Sequence, residues 1–179
     1  MKKENLKYIC YMAVVVFIVL QLLDIELFKA LSYSVSIAVF AFSVFDRWLW
    51  KYIPWVKTPR IAGKYNAVCE SSYTGKFSYN SVVTIQQTHS SIRILETIEG
   101  SNICRSICAS LNGPDEHNTW ILCYTYKTDP ERSKTDDPHY GTAIFNITKE
   151  NLDNSELNGS YFTNRLKQTS GTMHLKKSD

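Results

Sequence analysis

The stretch Trp120-Ile121-Leu122-Cys123-Tyr124-Thr125-Tyr126-Lys127 decides the fold. Trp120, Leu122, Tyr124 and Tyr126 fall on one face, and Ile121, Cys123, Thr125 and Lys127 on the other. That is the period of two that a pleated strand imposes on its side chains. The same rhythm runs upstream. Arg93 and Leu95 alternate with Ile92 and Ile94, and Ile103, Arg105, Ile107 and Ala109 alternate with Cys104, Ser106, Cys108 and Ser110. Strands are expected near residues 63–72, 76–88, 91–98, 102–111, 118–127, 139–148, 156–165 and 170–177. Most breaks are short (Thr74-Gly75, His89-Ser90, Glu99-Gly100), and short breaks force sequential antiparallel neighbours. A rim loop is expected at 112–117 and a longer, mobile one from Thr128 to Pro138. About eight such strands fit an antiparallel up-and-down barrel, which leaves no open sheet edge. A barrel of that size is just wide enough to hold one small ligand.

Before residue 60 the pattern changes. No charge occurs between Tyr8 and Leu23 or between Ala30 and Phe45, and Asp24-Ile25-Glu26-Leu27-Phe28-Lys29 joins the two runs. A spanning helix needs about 20 mainly apolar residues. Each run reaches that length only with flanking residues such as Leu6, Lys7, Leu27 and Trp48. The expectation is a two-helix transmembrane hairpin over 1–52, a Pro54/Pro59 linker over 53–62 and an all-β domain over 63–179. Lys2, Lys3 and Lys7 precede the first run, and Arg47, Lys51, Lys57 and Arg60 follow the second. By the positive-inside rule both termini face the cytoplasm. Trp48, Trp50, Tyr52 and Trp55 then fall at headgroup depth. A cleaved signal peptide is disfavoured by Asp24, Glu26 and the second apolar run. Ser34, Ala38 and Ala41, and separately Ser32, Ser36 and Ser43, provide small faces. These serve packing between the two spans or self-association between chains. Gln21 is the strongly polar side chain of the first run, placed to hydrogen-bond across an interface.

The chain of 179 residues carries a net charge of +3, but the first 60 residues hold eight basic and four acidic groups. The rest is left with 12 and 13, so the surplus belongs to the membrane flanks. A nucleic-acid polymer is therefore not an expected partner. The five cysteines form no C-x-x-C pair, and the four histidines show no metal-ligand spacing. No G-x-S-x-G, phosphate-binding loop or dinucleotide fingerprint occurs. Neither an enzyme nor a cofactor is expected. What remains is a set of Arg, aromatic and hydroxyl side chains on strands: Tyr65, Arg93, Arg105, Tyr126, His139, Thr163 and Arg165. A guanidinium fork fits phosphate oxygens, and an aromatic face accepts a stacked base.

Several stretches, together with the hairpin, resemble one family. They are Thr58-Pro59-Arg60-Ile61-Ala62-Gly63-Lys64-Tyr65, Val83-Thr84-Ile85-Gln86-Gln87-Thr88, Ser91-Ile92-Arg93-Ile94-Leu95-Glu96-Thr97, His139-Tyr140-Gly141-Thr142 and Leu157-Asn158-Gly159-Ser160-Tyr161-Phe162-Thr163-Asn164-Arg165. That family comprises the two-transmembrane, β-strand-rich effectors encoded beside cyclic-oligonucleotide synthases in bacterial anti-phage (CBASS) systems. One departure is Tyr65, where a Trp is expected. The resemblance implies an eight-stranded barrel that binds a cyclic dinucleotide. It further implies self-association in the inner membrane, disruption of that membrane and abortive infection. It assigns no ligand contact to a residue; the seven residues above come from their chemistry alone. The competing readings are a tethered barrel for an apolar ligand, a barrel that docks a protein partner, and a tethered hydrolase.

Overall fold

A computed structural model describes residues 3–54, 56–72, 77–98, 102–130, 139–165 and 168–178. The Thr74-Gly75 and Glu99-Gly100 turns, Trp55 and residues 131–138 of the expected long loop lie outside them. The chain divides into two units, residues 1–58 with 88–90, and the remainder.

The first unit is a helical hairpin, α1 (Lys3–Leu22) and α2 (Leu27–Arg47), followed by a 3-10 turn at Leu49–Tyr52. Asp24 takes a left-handed conformation at the bend (φ 56°), which a short polar side chain tolerates. Gln21 Nε2 donates to the carbonyl of Ile25 at 3.1 Å, within the bend itself. Ala30, Ser34 and Ala38 are buried on α2, and α1 is the helix that packs along it. Of the expected small face, Ser34 and Ala38 are packed within the hairpin together with Ala30, where side chains without bulk let backbones approach, while Ala41 is exposed. Ser32, Ser36 and Ser43 face outward, and Ser36 and Ser43 return their hydroxyls to carbonyls one turn back. The outward faces also carry Val15, Ile18, Phe28, Leu31, Val35 and Phe40. Among the described residues only α2 is long and apolar enough to cross a membrane; the apolar part of α1, Leu6–Leu22, is shorter. Within this unit the backbone N–H of Ser90 donates to Asp46 Oδ1 at 2.8 Å, and the His89 ring lies against Phe45 and Trp50.

The second unit is a closed antiparallel barrel, β1 to β8 in sequence order. Its strands are β1 (Gly63–Ser71), β2 (Phe77–Gln87), β3 (Ile92–Ile98), β4 (Asn102–Asn112), β5 (Trp120–Pro130), β6 (His139–Ile147), β7 (Glu156–Thr163) and β8 (Ser170–Lys177). Two local features depart from the sequence pattern. A bulge between Ser106 and Cys108 adds one residue to β4. It reverses the strand's alternation, so Cys104 is buried while Cys108, expected on the same face, is exposed. A short helix α3 (Lys149–Asp153) joins β6 to β7. Its capping box is built from the Thr148 hydroxyl and the Asn151 side chain.

The two ends of the barrel interior differ in the side chains they bury. Where the chain enters β1, the interior holds Ile61, Ile85, Leu122, Phe145, Ile147, Leu157 and Leu175, all buried. Gln87 ties that end shut. Its Nε2 donates to the Pro59 carbonyl and its Oε1 accepts from the Ile61 N–H, both at 2.8 Å. The opposite end holds the buried polar side chains Ser71, Ser81, Glu96, Thr128, His139 and Thr163.

Candidate functional site

Barrel register explains how this polar end arises. Glu96 on β3 pairs with Cys104 on β4, Cys104 with Thr128 on β5, and Thr128 with His139 on β6. Four residues far apart in sequence thus form one inward row across four strands. The next row toward the middle runs Ser106, Tyr126, Gly141 and Thr163. Inward side chains on paired strands stand about 5 Å apart, so each row acts as one surface. Gly141 matters by having no side chain, because the Tyr126 ring occupies the space its Cβ would need. At Gly171 the Glu70 carbonyl oxygen and the Tyr161 ring occupy the space a Cβ would need.

Hydrogen bonds fix the row. Arg165 Nε donates to His139 Nε2 at 3.2 Å, which makes that nitrogen an acceptor and places the ring of a neutral His139 in its Nδ1–H form. The Thr163 and Thr169 hydroxyls meet at 2.6 Å, and Cys104 Sγ lies 3.3 Å from Thr128 Oγ1. Ser81 Oγ donates to Glu96 Oε1 at 2.8 Å, with Cys69 Sγ at 3.9 Å from the same oxygen. Glu96 is 5% exposed. Burial, partly opposed by the Ser81 and Cys69 hydrogen bonds, pushes its carboxyl above the usual carboxylate range. Burial first, and the charge of Glu96 second, push the Cys69 and Cys104 thiols up to about 12, so both stay protonated. The Tyr124 and Tyr126 phenols move upward for the same two reasons. Tyr124 Oη is buried without a hydrogen-bond partner. Beside this interior, an open groove of about 410 Å³ runs past Glu70, Ser71, Ser78, Ser170 and Gly171.

The structure gathers four of the seven sequence-derived candidates here: Tyr126, His139, Thr163 and Arg165. The other three lie elsewhere. Tyr65 belongs to the apolar end, where its hydroxyl donates to the Ile61 carbonyl at 2.8 Å and burial pushes it up to about 12. Arg93 and Arg105 are exposed on the outer face of β3 and β4, because inward positions on those strands go to Ile94, Glu96 and Cys104. Glu96 is the residue that sequence reasoning missed. It does carry a signal, since it continues the apolar face of Ile92 and Ile94, where an acid is out of character. Among the described residues no cluster of His, Cys, Asp or Glu could hold a metal ion.

Two comparisons bear on this site. A family model described as Cap15, cyclic dinucleotide receptor domain, matches residues 56–177, the barrel and the segment leading into it. CD-NTase-associated protein 15 of Staphylococcus schleiferi is 32% identical over 152 residues, covering 82% of this chain and 78% of that protein.

Proposed function

Because the chain belongs to the Cap15 cyclic dinucleotide receptor family, we propose that its barrel binds a cyclic dinucleotide at the polar end and relays binding to the membrane. The observation that carries this reading is the segregation of the interior: one end apolar and tied shut, the other a register-built row of polar groups. Tyr126 offers a ring face to a base. Arg165, oriented by His139, offers a guanidinium fork to a phosphodiester. Thr163 supplies a hydroxyl beside them.

The hairpin is the membrane end of the device. Its outward faces are too apolar for water, and the basic residues beside both helices orient both termini to the cytoplasm of a bacterial inner membrane. The apolar part of α1, at about 1.5 Å per residue, falls short of a hydrocarbon core about 30 Å thick. Two-dimensional confinement raises the effective concentration of chains, so a modest ligand-dependent contact shifts assembly strongly. Gathered hairpins with one short span thin the bilayer and break its barrier, which is the lesion expected of an abortive-infection effector. No catalytic step is required. The apolar-ligand barrel is disfavoured by an interior end lined with Glu96, Thr128 and His139.

The test is calorimetric titration of the full chain in lipid nanodiscs with a panel of cyclic dinucleotides. Saturable binding of at least one is expected, weakened about tenfold or more in Arg165→Ala, as for loss of a charge-assisted hydrogen bond. In cells, co-expression with a synthase of the bound ligand should admit a membrane-impermeant dye. A folded protein that binds none of the panel would end the receptor reading.

A further inference from the structure

The 3-10 turn that follows α2 is two-sided. Trp48 is 56% exposed, Leu49 49% and Tyr52 79%. The Lys51 N–H closes the turn on the Trp48 carbonyl at 3.4 Å, and side chains three apart in such a turn lie over one another. Leu49 and Tyr52 therefore share its outer side. Trp50 is its root, 2% exposed, with the His89 ring 5.8 Å from its own. Charge gathers at the same place. Arg47, the last residue of α2, holds its guanidinium 5.8 Å from the centre of the Trp48 ring. From Arg47 to Thr58 the sequence has three cations, Arg47, Lys51 and Lys57, and no acid. The acid just before them, Asp46, turns Oδ1 to the Ser90 N–H.

We propose that this turn is a binding site for the headgroup of an anionic phospholipid. The inference rests on the membrane placement of α2 given above and deepens it by naming the lipid. α2 is long and apolar enough to cross a membrane, so the residues directly after it fall in the headgroup layer. A guanidinium stacked on an indole is held by its face, which leaves its N–H edge to pair with two phosphate oxygens. Leu49 and Tyr52 suit the glycerol and first acyl carbons beneath that phosphate. A zwitterionic headgroup brings its own ammonium, which opposes Lys51 and Lys57 here; a headgroup of net negative charge does not. The dipole of α2 also favours a cation at Arg47, but it does not account for three exposed apolar side chains beside that cation.

The experiment reconstitutes the full chain in vesicles of phosphatidylcholine and phosphatidylglycerol, with flotation to confirm insertion. Each lipid in turn is brominated, and the ratio of tryptophan quenching gives the relative affinity for the anionic one. A basic side chain beside an anionic surface contributes about fivefold, so the wild type should favour phosphatidylglycerol by at least that much. Arg47→Gln should lose about fivefold of the preference, and Arg47→Gln with Lys51→Gln should approach equal affinity. Lys149→Gln with Lys176→Gln removes two charges from the barrel and should leave the preference unchanged. Equal quenching by both lipids in an inserted wild type overturns the proposal alone. A preference that survives in the Arg47/Lys51 double variant, or that falls as far in the barrel control, overturns it too. Should that double variant fail to insert, Trp48→Leu keeps an apolar side chain, removes the ring beside Arg47 and must lower the preference. A wild type that floats with neither vesicle refutes the membrane placement, and the proposal with it.

Discussion

The two ends of the barrel interior are built on the same strands yet obey different rules. At the end where β1 begins, inward positions are filled for packing, and the polar bridge there, Gln87, spends both amide groups on the Pro59–Ile61 backbone. At the other end, inward positions carry an acid, a histidine and several hydroxyls and thiols that bond to one another: Ser81 with Glu96, Cys104 with Thr128, Thr163 with Thr169. The proposed receptor function would separate stability from recognition along one axis. A closed barrel allows this because ladder hydrogen bonds run the full length of each strand regardless of what points inward.

Substitutions can break that contrast. The largest stability loss should come from the apolar end. Phe145→Ala empties a fully buried position stacked on Tyr124 at 6.2 Å between centroids, and should cost about 3–5 kcal/mol in denaturant unfolding. At the polar end Gly141→Ala must displace Tyr126, costing about 1–3 kcal/mol and weakening ligand binding beyond what the melt explains.

The pH response sharpens the contrast further. The folded-state affinity of Glu96 for its proton is raised above the ordinary value of 4.5. Its contribution is therefore fully present below that value and is lost as pH rises toward the folded-state pKa, because the unfolded chain releases the proton first. The wild-type melting temperature should fall with rising pH relative to Glu96→Gln, and parallel pH profiles would contradict this. The smallest effect should be Thr148→Ala. It removes the α3 cap at the apolar end for about 1 kcal/mol and should leave ligand affinity unchanged by calorimetry.

Much of the fold is legible in the order of the amino acids. The alternation in Trp120–Lys127 places β5, and the expected strands match all eight within a few residues. What escapes the sequence is local and small in extent. The extra residue at Ser106/Cys108 is invisible to a period-two count, because either parity gives mixed faces on β4. The α3 helix is only five residues long and carries no apolar repeat. Arg93 and Arg105 have the chemistry of phosphate ligands, but on β3 and β4 that chemistry lies on the outward parity. Glu96 is visible only as an acid continuing the Ile92–Ile94 face, a faint signal because an isolated acid on a strand usually reads as solvated.

The sequence alone determined that the chain has two parts, a pair of apolar helices and a run of antiparallel strands, and how many strands there are. These are properties of neighbouring residues, set by backbone periodicity and by turn residues. Only the tertiary structure decided that Glu96, Cys104, Thr128 and His139 share a row, that Tyr65 belongs to the closed end, and that Ala30, Ser34 and Ala38 are consumed within the hairpin. Those facts depend on strand register and helix packing, which join residues remote in sequence. A shift of one residue in register would turn every inward side chain outward.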